Sequence, residues 1–297
     1  MKLLVIDIGG TFIKYAIMDE NKNIVKRGKV ATPQDSREAL IDVLANLYFS
    51  HAYVDGISIC MPGIIDADRG YCHMGGALRY NDGFAIKDAL YERCHMPIHI
   101  ENDAKCAAYA EAKNGALKDV SDGFVLIFGT MIGGAYIQNG KLHKGKHFSS
   151  GEVSYIISDR DSYALPETIW GNRCSANRLC KRYAELHQIE CECVDGNIVF
   201  DGVKNGDPYA TLALEEYAKE IAVQIFNIQT ILDVERFAIG GGISARPIFL
   251  KMIQDKLKEL YDNCLYPITR TEVVNCHFQN DANLYGAYYC YKEKYEV

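Results

Sequence analysis

The first fourteen residues of the chain, MKLLVIDIGGTFIK, constrain its fold more than any other stretch. A short apolar run ends on Asp7, and a second apolar segment, Phe12–Met18, follows the glycine pair Gly9-Gly10. Short β-branched runs predict buried strands, and the glycine pair between them predicts a tight turn. Because such a turn lacks Cβ atoms that would hold off a ligand, its amide groups can form a concavity for phosphate oxygens. The alternative is a plain hairpin with an acidic surface residue.

The same outline recurs about 120 residues later. Phe124–Phe128 predicts a strand, Gly129-Thr130 a turn, and Gly133-Gly134 leads to another predicted strand, Ala135–Gln138. Two strand–turn–strand units suggest two related halves.

The polar segment Asn114–Asp122 has the composition of a passage between domains. We therefore predict an α/β protein of two domains, residues 1–117 and 118–281. A tyrosine-rich helix is expected over 282–297, where it either packs on the first domain or forms an interface.

A candidate catalytic carboxylate lies where the predicted strand Ile98–Glu101 meets an alanine-rich helix. Asn102 or Asp103 can cap this helix. A carboxylate between a strand end and a helix N-terminus points into the crevice where α/β proteins bind ligands. We expect the helix amides to keep it ionised, as a general base requires. The alternative is that Asp103 only caps the helix.

Further helix signals frame the second half of the chain. Apolar periodicity predicts a long helix over Pro208–Leu232. The strand Arg236–Ile239 leads to a third glycine run, Gly240–Gly242, and then to a helix that Ser244 is expected to cap.

Near the start of the chain, Asp35 with Glu38 predicts the beginning of another helix.

Composition limits the classes of partner. A net charge of −7 and a pI near 5.6 argue against nucleic-acid and anionic-membrane surfaces. The sequence contains no apolar run of membrane-spanning length and no signal-peptide pattern, so we expect a cytoplasmic protein. Of its eleven cysteines, Cys60, Cys106 and Cys290 are expected to be buried thiols. Cys191 and Cys193 lack a second pair at zinc-ligand spacing, so no structural zinc is predicted.

Four motifs in this order resemble the ROK sugar-kinase family of the actin/hexokinase/Hsp70 ATPase superfamily. DIGGT (Asp7–Thr11) is similar to its first phosphate loop, and FGTMIGG (Phe128–Gly134) to its second. IGGG (Ile239–Gly242) is similar to its adenosine motif, and ENDAKCAA (Glu101–Ala108) to its catalytic segment. The resemblance extends over nearly the whole chain.

The resemblance implies two RNase-H-like, actin-like ATPase domains with a central cleft, and a homodimer. Asp103 would be the base that takes the proton of the attacking sugar hydroxyl, and Asp7 would hold Mg²⁺ through water. The residues implied in ATP and magnesium binding are Asp7, Gly9, Gly10, Thr11, Lys14, Gly129, Thr130, Gly133, Gly134, Gly240, Gly241 and Gly242. Those implied in sugar binding are Gly63, Gly76, Asn81, Asn102, Asp103, Glu152, Tyr155 and Glu167.

The chain departs from the family pattern at several positions. Met131 replaces a glycine of the second phosphate loop, where a side chain is expected to narrow the approach of phosphate. Tyr155 replaces the histidine of the GExGH sugar motif, and the zinc segment is missing, so residues 159–174 resemble a zinc-free branch. Glu167 is offset from the family's second sugar-binding glutamate, and Asn81 substitutes for a sugar-binding asparagine expected near Ala77.

Within the family, the segment MGGALRYNDGF looks most like bacterial β-glucoside kinases, which phosphorylate the 6-hydroxyl of cellobiose-type sugars. Glucose and N-acetylmannosamine stay open as alternative substrates. A sugar-sensing repressor is the alternative class, but it would need a helix-turn-helix domain ahead of Asp7, where none is expected. An actin-like polymer and an inactive kinase are the remaining alternatives.

Overall fold

The structure, a computed structural model, describes residues 1–51, 53–159 and 165–296. Their strands are β1 (Lys2–Ile8), β2 (Phe12–Asp19), β3 (Ile24–Ala31), β4 (Gly56–Met61), β5 (Ile64–Asp66), β6 (Tyr71–Met74), β7 (Ile98–Asn102), β8 (Gly123–Phe128), β9 (Ile132–Gln138), β10 (Lys141–His143), β11 (Arg236–Gly240) and β12 (Glu272–Asn275). Their α-helices are α1 (Arg37–Phe49), α2 (Ile86–Cys94), α3 (Asp103–Asn114), α4 (Trp170–Arg173), α5 (Ala176–His187), α6 (Gly196–Lys204), α7 (Pro208–Leu232), α8 (Pro247–Asp262) and α9 (Ala282–Tyr295).

The described residues divide into two compact units. The first comprises residues 1–118, 141–150 and 280–296, and the second the described residues of 119–140 and 151–279. The unit boundary at 118/119 lies one residue from the predicted 117/118. The predicted second domain was continuous in sequence, whereas the second unit is interrupted, because Lys141–Ser150 groups with the first unit. Lys144 of that segment pairs with Glu101, and the Phe148 ring stacks on His73.

The first unit is built on a sheet of order β3-β2-β1-β4-β7. β1 and β2 form an antiparallel hairpin, whereas β1, β4 and β7 run parallel. β1 and β4 are almost completely buried, as strands covered on both faces of a sheet must be. Parallel strands end at the same edge, so the carboxyl ends of β1, β4 and β7 lie side by side.

Helix α9 packs against α3 in this first unit, although more than 160 residues separate them in sequence. The approach is close at Gly286, where a Cβ atom would overlap the carbonyl oxygen of Cys106. Of the two sequence-based alternatives for the C-terminal helix, the structure therefore has it packed on the first unit.

The strands within the second unit have the order β9-β8-β11-β12. As in the first unit, an antiparallel hairpin (β8 and β9) continues into parallel strands. Its core contains the fully buried Trp170, Phe128 and Phe249, covered by α7 and α8. The predicted α/β class and the two related halves are confirmed.

Most of the predicted elements occur, and α7 has the predicted bounds. The sequence analysis did not predict β3, α6, β10 or β12. Gly133 and Gly134 lie inside β9 rather than in the turn before it, because β9 already begins at Ile132.

Two predicted caps are wrong. Ser36, not Asp35, caps α1, since its side chain accepts a hydrogen bond from Ala39 N. Ser244 lies in a short 3-10 helix, Gly242–Ala245, and α8 begins later, after Arg246, without a side-chain cap. Within the described residues, the helices are too short or too polar to cross a membrane.

Candidate active site

The hairpin of β1 and β2 positions Asp7 and Lys14. The two residues are direct partners in the antiparallel register, and Lys14 Nζ lies 3.9 Å from Asp7 Oδ2. The Asp7 side chain is largely buried, whereas that of Lys14 is half exposed. Lys14 is thus free to reach an anionic ligand while Asp7 stays fixed in the sheet.

The turn Gly9–Thr11 between these strands is held by hydrogen bonds to its carbonyl oxygens. Thr32 Oγ1 donates to Gly9 O at 2.7 Å, and Gln34 Nε2 donates to Gly10 O at 2.8 Å. A Cβ on Gly10 would contact Ala77, so the turn lies beside the loop expected to bind sugar. The two donors, Thr32 and Gln34, follow directly after β3, so the shape of the turn depends on a strand that the sequence analysis did not predict.

Asp103 begins α3 directly after the strand β7. The N-cap is Asn102, whose Oδ1 accepts from Lys105 N at 3.0 Å. Asn102 Nδ2 donates to Gly63 O at 2.9 Å. Asn102, not Asp103, is therefore the N-cap residue of α3.

Burial raises the pKa of Asp103, and the nearby Asp7 carboxylate raises it further. The Ala104 N–H, which donates to Asp103 Oδ1 at 2.8 Å, and the charge of Lys105 oppose this shift in pKa. The sequence analysis expected the helix amides to dominate, but desolvation outweighs them. A carboxyl with a raised pKa is a better proton acceptor, which suits a general base.

Two lysine contacts fix the segment Lys141–Ser150 beside the start of α3. Lys144 Nζ lies 2.8 Å from Glu101 Oε2, and the Glu101 side chain is completely buried. Lys105 Nζ donates to Phe148 O at 3.0 Å. The sequence analysis gave these residues no role, because a contact between residues some forty positions apart leaves no local signal.

The predicted sugar loop of the first unit packs closely on Gly63. Gly63 has φ of +111°, and a Cβ there would overlap Met74 O. Gly76 lies against Pro62 and Gly63. Asn81 is fully buried, and neither its Oδ1 nor its Nδ2 has a hydrogen-bond partner within the described residues. A buried amide in this condition requires a partner, and a ligand hydroxyl or a water could supply one.

In the second unit, the turn after β8 lies against two other segments. Ala176 N, at the start of α5, donates to Gly129 O at 3.0 Å. Gly241, with φ of +95°, packs so tightly on Phe128 that a Cβ would overlap Phe128 O. The unit thus brings Gly241 against Phe128, the residue that precedes the turn Gly129-Thr130. The contribution of α5 was not foreseen, although Ser175 is a recognisable N-cap.

Met131 lies at the end of the same turn, and the tip of its side chain rests on α4. A Cβ on Gly171 would lie 2.6 Å from Met131 Cε and 2.6 Å from Ser154 Oγ. Ser154 in turn accepts from Ile132 N and donates to Ile132 O, at 3.0 and 2.7 Å. These contacts fix the turn to the 3-10 helix Val153–Tyr155.

The remaining predicted sugar residues belong to the second unit. Glu152 directly precedes that 3-10 helix, and Tyr155 is 57% exposed. Glu167, in the 3-10 helix Pro166–Thr168, lines a surface cavity of about 590 Å³ between α5 and α7. Charged groups of this cavity pair with one another, as Arg182 does with Glu216 at 2.7 Å. We assign the cavity no role.

The donor set fits a magnesium ion held mostly by water and phosphate. Asp7 offers a single carboxylate, and Mg²⁺ is commonly bound by one or two carboxylates with several waters. Within residues 1–51, 53–159 and 165–296, no three His, Cys, Asp or Glu side chains converge on a metal site. The zinc-free expectation concerned 159–174, of which 160–164 lie outside the described residues.

The chain is similar to known proteins over nearly its whole length. The model of the ROK family matches residues 3–294. The chain is 31% identical to a β-glucoside kinase of Klebsiella pneumoniae, over 99% of this chain and 97% of that protein. It is 28% identical to an N-acetylmannosamine kinase of Haemophilus influenzae, over 99% of this chain and 96% of that protein.

A ROK family protein of Streptococcus pneumoniae, solved in complex with sucrose, superimposes with a TM-score of 0.89. The two are 28% identical, and the superposition covers 100% of this chain and 99% of that one. The predicted actin-like ATPase fold is confirmed, and the chain belongs to the ROK family.

Proposed function

We propose that this ATP-dependent sugar kinase phosphorylates the 6-hydroxyl of a β-glucoside such as cellobiose or gentiobiose. The similarity to the Klebsiella enzyme supports this substrate class. The sucrose bound by the Streptococcus relative supports a pocket that accepts two sugar rings. N-acetylmannosamine is the second candidate, favoured by the similarity to the Haemophilus enzyme.

One observation carries the proposed chemistry, namely the arrangement of carboxylates at one edge of the first sheet. The parallel register aligns Asp7 with Cys60 and Cys60 with Glu101, so Asp7 and Glu101 lie two strands apart at one level. Strands spaced about 4.8 Å apart bring Asp103, two residues further on, within range of a metal-bound phosphate near Asp7. The charge of Asp7 helps to raise the pKa of Asp103, which agrees with this proximity.

In the proposed reaction, Asp103 takes the proton of the sugar 6-hydroxyl while the hydroxyl oxygen attacks the terminal phosphorus of ATP. The bond between that phosphorus and the bridging oxygen breaks, and ADP leaves with the bridging oxygen. Asn102 retains one N–H after bonding to Gly63, and we assign that N–H to a neighbouring sugar hydroxyl. Catalysis of this kind depends mainly on alignment and charge neutralisation.

ATP would be held by the glycine turns. We assign phosphate contacts to the turns at Gly9–Thr11 and Gly129-Thr130, and the adenosine to the run Gly240–Gly242. Asp7 would hold Mg²⁺ through water, and the ion would neutralise charge on the phosphates.

The first experiment is sugar-dependent ADP release on a panel of glucose, cellobiose, gentiobiose and N-acetylmannosamine, with Asp103→Asn beside the wild type. Removing a general base typically costs 10²–10⁴-fold in rate, so kcat should fall by about that factor while the fold is retained. Asp42→Asn is the matched control, because it makes the same chemical change at an exposed ion pair with Arg93.

Turnover on cellobiose or gentiobiose supports the β-glucoside proposal. Turnover on N-acetylmannosamine alone would replace the substrate and keep the mechanism. Full activity of Asp103→Asn would contradict the role of the base.

We also propose a cytoplasmic homodimer. All eleven cysteines are free thiols, which is typical of a reducing compartment, and Cys60, Cys106 and Cys290 are buried as expected. The dimer rests on the family resemblance, and light scattering of the purified protein tests it.

A further inference from the structure

We propose that Asn283, on the C-terminal helix α9, is a positioning residue that fixes the Asp7 carboxylate in the orientation needed to hold magnesium. Asn283 Nδ2 donates to Asp7 Oδ1 at 3.0 Å. The inference rests on the proposed role of Asp7 and adds a residue to it that lies 276 positions away in sequence. Neither the motifs nor the family resemblance assigned a function to this helix.

The two oxygens of Asp7 have different surroundings. Besides Asn283, the Cys60 thiol lies against Oδ1, at 3.4 Å. Lys14 approaches Oδ2 at 3.9 Å, beyond hydrogen-bond distance. Thus Oδ1 is held by α9 and β4, whereas Oδ2 is left to accept from a water or a cation. Hydrogen bonds at Oδ1 restrict the rotation of the carboxylate and so favour one orientation of Oδ2.

The amide is the stronger of the two donors on Oδ1. A thiol has one weak hydrogen, and Cys60 Sγ also lies 3.5 Å from Ile6 O and 3.6 Å from Asn283 O. The thiol must divide its single hydrogen among three acceptors, Asp7 Oδ1, Ile6 O and Asn283 O. The Asn283 amide is therefore the main hydrogen-bond donor that fixes the position of Asp7 Oδ1.

Helix α9 does not need this contact in order to dock. Ser58 Oγ donates to Ala287 O at 2.6 Å, and Tyr295 OH donates to Ile98 O at 2.9 Å. These two contacts hold the helix on the sheet, and the close packing at Gly286 holds it on α3. The Asn283 amide can thus be removed while the helix stays in place.

The test is Asn283→Ala with Tyr295→Phe as the matched control. Both remove one hydrogen bond from α9 to the sheet, but Tyr295 lies twelve residues further along, about 18 Å away at 1.5 Å rise per residue. Binding of ATP with and without Mg²⁺ is measured by calorimetry, and the melting temperature of each variant is recorded.

Loss of a residue that orients a metal ligand typically costs 10–100-fold in metal affinity or activity. We expect Asn283→Ala to weaken Mg-ATP binding and to raise the Mg²⁺ concentration for half-maximal rate by about that factor. Magnesium-free ATP binding and the KM for sugar should be unchanged, and Tyr295→Phe should match the wild type in all of these.

Equal loss of Mg-ATP and magnesium-free ATP binding in Asn283→Ala would show a structural role only and overturn the inference. Wild-type Mg²⁺ dependence in Asn283→Ala would overturn it as well, while leaving the kinase proposal intact. A wild-type protein that neither binds Mg-ATP nor phosphorylates any sugar would overturn both.

Discussion

Replacing Lys144 by methionine should remove the counter-charge of a carboxylate that has no access to water. The Glu101 side chain is completely buried, and Lys144, with a 30% exposed side chain, is its partner at 2.8 Å. Methionine keeps much of the length and apolar volume of the lysine stem, so the change isolates the charge. Glu101 Oε1 also accepts a hydrogen bond from Asn102 N at 2.9 Å.

The expected loss follows from the distance and the burial. At 2.8 Å the pair attracts with about 6 kcal/mol if the effective dielectric constant is about 20. Removing one partner of a buried pair costs about 3–5 kcal/mol, and the partial exposure of Lys144 favours the lower end, about 3 kcal/mol. That is a large share of a typical unfolding free energy of about 5–15 kcal/mol.

The assay is urea unfolding followed by far-UV circular dichroism, with hydrogen exchange of α3 to localise the effect. Trp170, the one tryptophan in the sequence, is buried in the second unit, so its fluorescence reports on the unit without the mutation. The double variant Glu101→Gln/Lys144→Met removes both charges. It should recover about 2 kcal/mol relative to Lys144→Met alone, within the range of coupling between residues in contact.

The pH dependence has a defined sign. Desolvation alone would lower the pKa of Lys144, but the attraction to Glu101 outweighs it, so the pKa is raised. A raised lysine pKa stabilises the fold below the unfolded value of about 10.4, and the contribution is lost as pH rises through the folded value. On the alkaline side, the wild type should therefore keep its advantage over Lys144→Met until the solution is strongly alkaline. A loss below about 1 kcal/mol at pH 7, or a double variant that is no more stable than Lys144→Met, would refute the reasoning.

Two further predictions concern buried residues near the candidate site. Burial, with nearby lysines, lowers the pKa of His99 to about 3, so the wild type should lose about 1.4 kcal/mol of stability per pH unit as pH falls from about 6.5 towards 3. Acid titration of His99→Gln should lack this slope, and an unchanged slope would contradict the assignment. Gly171→Ala should cost about 1–3 kcal/mol and raise the KM for ATP, because its Cβ would press on Met131 and Ser154. Adding Met131→Gly should relieve the contact with Met131 and restore part of the stability, because Ser154 still lies against the new Cβ. Thermal unfolding and kinetics measure both effects, and a silent Gly171→Ala would disprove the packing.

Regular periodicity made the long elements predictable. Helix α7 follows from its apolar repeat and from Pro208 at its first position, and both are local properties of the chain. Short strands such as β12 were not predicted, because four residues carry too little pattern to separate a strand from a loop. Ser36 was passed over as a cap because Asp35 beside it carries the same signal.

Some features of the candidate site could likewise be predicted from the sequence, and others could not. By itself, the sequence determined the residues whose function depends on a strand end or a turn, namely Asp7, Asp103 and the glycine runs, because a turn or a strand–helix junction is encoded by neighbours. Their assignment to ATP and sugar stays a prediction. The pKa direction of Asp103 could not be obtained this way, since burial and Asp7 outweigh the local helix amides.

The tertiary structure alone decided which distant groups hold those residues in place. Asn283 reaches Asp7 across nearly the whole chain, and Lys144 reaches Glu101 across 43 positions. Such pairs leave no periodic or motif signal, because the contacts arise only when parallel strands and the helices on them are brought into register. The candidate side chains of the site are thus predictable from the local sequence. Their orientation and the charges around them depend on contacts between distant residues that form only when the chain folds.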